Sequence, residues 1–121
     1  MGLRRRLRKK PPPPGPELDR LNLAQLRGVG ADLVRPRHVL HFLYFETEDD
    51  ARRAVEAVEA AGYNATVVEP EGTATQWSVR AEATRVVDDT TVSAYRAQFE
   101  QIASTYGGEY DGWEAAAEPK R

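Results

Sequence analysis

The segment "HVLHFLYF", residues 38–45, constrains the fold more than any other stretch of the chain. Aromatic and branched residues fill both parities of the run. It is far shorter than the roughly 20 apolar residues that span a bilayer. Such a segment suits a central strand with both faces at least partly covered. A central strand needs neighbours on each side, and the remaining sequence supplies them.

Downstream, Thr47 is placed as an N-cap, with Glu48, Asp49 and Asp50 setting negative charge at the positive end of a helix. Ala51, Ala54, Val55, Val58 and Ala61 recur at helical spacing, and Gly62 stands at the C′ position. "YNATVVE" reads as a strand and "PEGTA" as a turn. "TQWSVRAEAT" alternates, with Trp77, Val79, Ala81 and Ala83 opposite Gln76, Ser78, Arg80 and Glu82. A second long helix starts at Asp88, Asp89 and Thr90. It carries Val92, Tyr95, Phe99, Ile102 and Tyr106 three and four apart, and stops at Gly107 and Gly108. "EYDGWEAA" is the last strand.

The order β-α-β-β-α-β is the split βαβ arrangement. It predicts a ferredoxin-like α+β sandwich, two helices on one face of a four-stranded antiparallel sheet. "PELDRLNLAQLRGVG" adds a short N-terminal helix with Leu18, Leu21, Leu26 and Ala24 as its stripe, ended by Gly28 and Gly30. Pro36 makes "ADLVRPR" a connector. Residues 1–16 are expected to be a disordered basic and proline-rich arm, residues 17–117 the domain, and 118–121 a disordered tail.

Charge is unevenly placed. Of 17 Lys and Arg residues six lie within positions 4–10, which leaves eleven against all 19 acidic residues in the remainder. An acidic body argues against general nucleic-acid binding by the folded surface and fits a basic protein segment better. The first ten residues carry the charge of a signal n-region, but "PPPPGP" occupies the place of its apolar core, so a cytoplasmic protein with no membrane partner is expected. With no cysteine in the chain, thiol catalysis and cysteine-ligated metals are excluded.

Catalytic groupings are not found. His38 and His41, three apart on a strand, project to opposite faces and cannot share a metal without a bend. Ser78, Ser93 and Ser104 lie in no nucleophile elbow. Helix-capping roles account for Asp49–Asp50 and Asp88–Asp89. "GVGADL" lacks a preceding strand and a third glycine. Neither a catalytic residue, a cofactor nor a metal is expected. Base stacking on "TQWSVRAEA" is disfavoured, because Trp77, its one aromatic, lies on the helix-facing parity.

In "GGEYDGWE", strict alternation would send Tyr110 and Trp113 to opposite faces. A bulge at Gly112 would bring both to the core side, and that reading is preferred. It leaves Glu109, Asp111 and Glu114 facing outward or bonding nearby backbone, as candidate protein-binding residues.

Four segments, "GADLVRPRHVLHFLYF", "ETEDDARRAVEAVEAAGY", "QWSVRAEAT" and "YGGEYDGWE", together resemble the regulator of ribonuclease E activity B (RraB-like) family over roughly residues 19–115. The resemblance implies the same sandwich and a non-catalytic protein that binds ribonuclease E, or a similar ribonuclease, at its non-catalytic scaffold region. Two other functions compete with it: an RNA-associated module acting through the basic arm, and a small enzyme with a shallow site near Tyr110, Asp111 and Trp113. An exposed edge strand would also allow pairing with a second copy.

Overall fold

A computed structural model describes residues 15–116. Helix α1 spans Gly15–Gly28 and is followed by β1 (Arg37–Phe45), α2 (Glu48–Ala60), β2 (Asn64–Val68), β3 (Trp77–Arg85), α3 (Asp89–Thr105) and β4 (Glu109–Ala115). The sheet is antiparallel throughout, in the order β2-β3-β1-β4. This is the expected ferredoxin-like arrangement with one added helix. Residues 1–14 of the expected arm and the tail at 118–121 lie outside the described residues. Gly15 and Pro16 open α1.

Register assigns the two faces of the sheet. Arg37, Val39, His41, Leu43 and Phe45 of β1 stand opposite Arg85, Ala83, Ala81, Val79 and Trp77 of β3. Val39, Leu43 and Phe45 join the core with Ala51, Ala54 and Val58 of α2 and Val92, Phe99 and Ala103 of α3. Leu40, Phe42 and Tyr44 take the other face, opposite Glu82, Arg80 and Ser78.

Local chemistry sets the boundaries. Thr47 Oγ1 accepts the Asp50 amide at 3.1 Å, the expected N-cap of α2. Asp88 and Thr91 form a reciprocal capping box at the start of α3. After α3, Gly107 takes the left-handed conformation at φ +72°. A side chain at Gly108 would overlap the Tyr44 carbonyl oxygen and the Phe45 ring, so the chain re-enters the sheet only through glycine. Arg37 then ties the start of β1 to the end of β4, donating to the Ala116 carbonyl at 2.9 Å.

Helix α1 departs from the expected stripe. Leu26 is buried, but Leu23 is the other core residue, while Leu21 is 54% exposed and Ala24 is exposed. The helix packs on α3 and β4 through Asp19, Leu23 and Leu26, at spacings of four and three. A carboxylate within the buried stripe displaces the purely apolar face that hydrophobic periodicity picks out.

Candidate functional site: the bulged edge strand and its two faces

Among the described residues, strand β4 is an edge strand, paired with β1. Its register slips once: Gly112 stands opposite Phe42 and Tyr110 opposite Leu43, leaving Asp111 as the extra residue. Gly112 adopts φ +113°, a conformation glycine takes without strain. The bulge therefore falls where the sequence places it, and it brings Tyr110 and Trp113 to the helix-facing side.

The same slip sorts the acidic residues. Glu109 stands opposite Tyr44 and Glu114 opposite Leu40, so both project from the open face. Without the extra residue, five positions apart would mean opposite faces. Both glutamates are exposed. Asp111 differs from both: at the bulge it is 8% exposed. The expected acidic trio is thus two surface glutamates and one buried aspartate.

Beneath β4 lies a polar network that the sequence reading did not find. Arg96 of α3 donates through Nε and Nη2 to both carboxylate oxygens of Asp19, at 2.7 and 3.0 Å. The Trp113 indole N–H donates to Asp19 Oδ1 at 2.8 Å, and Arg96 Nη1 reaches Glu100 at 2.8 Å. The Arg96 guanidinium also lies 4.9 Å from the Tyr110 ring centroid. Planar bidentate pairing of this kind suits arginine over lysine.

From Tyr110 the network continues to His41, whose Nδ1 shares a 2.8 Å hydrogen bond with the phenol. The imidazole is fully buried, stacked on Phe99 at 4.1 Å and met edge-on by Tyr63 and Tyr95. Burial first, and Arg96 second, depress its pKa to about 3, which keeps the ring neutral. Burial likewise pushes the Tyr110 phenol well above its ordinary range. His41 and His38 do face opposite ways, as their spacing requires; His38 pairs with Glu82 at 3.0 Å.

The signal for this network was present. Arg96 falls four residues after Val92 and three before Phe99, and Asp19 falls four before Leu23. Opposite charges on the buried stripes of two helices call for each other.

Asp19, Arg96 and Glu100 of this network also line a groove of about 460 Å³, together with Arg20, Asp89 and Ser93. A groove of about 270 Å³ runs between α1 and β4, lined by Leu26, Val29, Trp113, Glu114 and neighbours. The Tyr110 hydroxyl and the Trp113 N–H point instead into the network. Among the described residues no cluster of three His, Cys, Asp or Glu side chains is placed to hold a metal. No described helix is long and apolar enough to cross a membrane.

A comparison with curated proteins found no match. The family model described as regulator of ribonuclease activity B matches residues 17–115. That span runs from the first turn of α1 to the last residue of β4, and the chain therefore belongs to the regulator of ribonuclease activity B family.

Proposed function

We propose that the protein regulates ribonuclease E, or a similar cytoplasmic ribonuclease, without chemistry of its own, by binding the enzyme through the acidic open side of β4. Family membership supports a regulator of ribonuclease activity. The observation that carries the binding face is the bulge, which sets Glu109 and Glu114 on the same face of an edge strand. With Glu82 of β3 opposite Leu40 on the same face, the surface suits a basic, extended segment of a ribonuclease. Backbone hydrogen bonds along the β4 edge would add to the binding of such a segment. Asp111 contributes by holding the bulge, not by contact.

The test is binding of the purified chain to the basic non-catalytic segment of the ribonuclease, with RNA cleavage measured in parallel. The double variant E109K/E114K is expected to weaken binding about tenfold at low salt, mainly through slower association. Unchanged affinity in that variant would place the contact elsewhere. Absence of any complex at tens of micromolar, with cleavage unaffected, would sink the ribonuclease reading.

A further inference from the structure

The sheet has two edges, and they are built differently. On β4 the bulge breaks the alternation, and Glu109, Asp111 and Glu114 give the strand like charge. Asn22 of α1 also donates to the Trp113 carbonyl at 3.2 Å. Each of these is a device that keeps an edge from pairing with another chain. Strand β2, among the described residues, shows none of them. Its sequence, NATVV, is uncharged, free of proline and rich in branched residues, and its register on β3 is unbroken. Asn64 and Thr66 are exposed, while Ala65, Val67 and Val68 are half-buried.

Register fixes which backbone groups of β2 face outward. The Ala116 N–H donates to the His38 carbonyl at 3.0 Å, so His38 turns its backbone toward β4. Alternation then turns Val39, His41 and Leu43 toward β3, and their partners Ala83, Ala81 and Val79 back toward β1. Glu82, Arg80 and Ser78 of β3 are left to bond Asn64, Thr66 and Val68 of β2. Ala65 and Val67 therefore hold their N–H and C=O groups to the outside of the sheet.

We infer that β2 pairs antiparallel with β2 of a second copy about a twofold axis at Thr66, joining two four-stranded sheets into one. Two outward-bonding residues separated by one are self-complementary about the residue between them. Ala65 meets Val67 of the second copy, and each such pair exchanges both backbone hydrogen bonds. Thr66 meets Thr66 as a close pair, and Asn64 meets Val68, so no like charges oppose each other along the strand. A closed twofold uses both β2 edges, and the bulged, acidic β4 edges oppose further growth. The two β4 strands then lie seven strand spacings apart, roughly 34 Å at about 4.8 Å each. Resting on the ribonuclease reading, the dimer is a bivalent regulator that holds two enzyme segments at once.

The chain has no cysteine, so a single introduced one reports the register. Mild oxidation of T66C in the full chain should give a disulfide-linked dimer, because the close antiparallel pair, about 4.5 Å between Cα atoms, is within disulfide reach. N64C, also exposed, stands opposite Val68 and should crosslink at least about tenfold more slowly. Sedimentation of the unsubstituted chain should show its mass doubling as concentration rises. T66K sets two ammonium groups across the axis and should raise the midpoint about tenfold or more. A monomer at every concentration up to about 1 mM would overturn the proposal. So would equal crosslinking of the two cysteine variants, or a dimer indifferent to T66K. A register-specific dimer that binds no ribonuclease would leave the pairing intact and overturn the ribonuclease reading instead.

Discussion

Asp19 carries more of the interior than its residue type suggests. It accepts two hydrogen bonds from Arg96 and one from Trp113 while only 5% exposed. Replacing it with alanine removes all three and strands a buried guanidinium, so D19A should cost about 3–5 kcal/mol in urea unfolding. His41 makes a different prediction. Its folded pKa, about 3, lies below the ordinary 6.5, so the unfolded chain binds the extra proton first. Its contribution is complete above pH 6.5 and is lost as pH falls toward 3. Stability should therefore decline by up to about 1.4 kcal/mol per pH unit across that window from this group alone. Arg96, Tyr63, Tyr95 and Tyr110 surround the ring and stay in one protonation state there. H41F should flatten the slope, measured as denaturation midpoints between pH 4 and 7.

At the level of elements, two of the three glycines of the α3–β4 region, Gly108 and Gly112, have distinct jobs and should fail in distinct ways. At Gly112 a methyl group meets only ordinary contact with Leu18, so the cost of G112A is backbone strain at φ +113°, about 1–3 kcal/mol. At Gly108 the backbone is unstrained but the space is filled by β1 itself. G108A must push β4 away from β1, and it should lower the thermal midpoint more than G112A does. Amide exchange in β4 would rise in both variants. The sequence showed the strands and two of the helices well, because strong periodicity and capping residues coincide at each. It misplaced the face of α1 because Asp19 interrupts the apolar stripe, and charged residues carry no weight in a hydrophobic count. Phe42 and Tyr44 are buried on the second face of β1, as a strand apolar on both parities predicts.

Across the whole molecule, α1 belongs to the domain. Leu23 and Leu26 sit in the main cluster and Asp19 anchors α3 and β4 together. Unfolding followed by far-ultraviolet circular dichroism and by tryptophan fluorescence should coincide in a single transition. An early loss of helix signal would show α1 detaching first. The family was legible from four short segments in order, and the model match extends over the same region. The acidic candidates were legible as a group; that only two of them reach the surface was not, since the depth of a bulge residue depends on how its neighbours pack.

The single extra residue in β4 also defines how this strand tolerates change in length. Deleting one codon at Asp111 would restore an unbroken alternation, because Glu109, Tyr110, Gly112, Trp113 and Glu114 already stand opposite five consecutive residues of β1, Tyr44 to Leu40. Tyr110 and Trp113 would stay inside and both glutamates outside. The bulge is thus a position at which β4 can lose a residue without exchanging inside for outside.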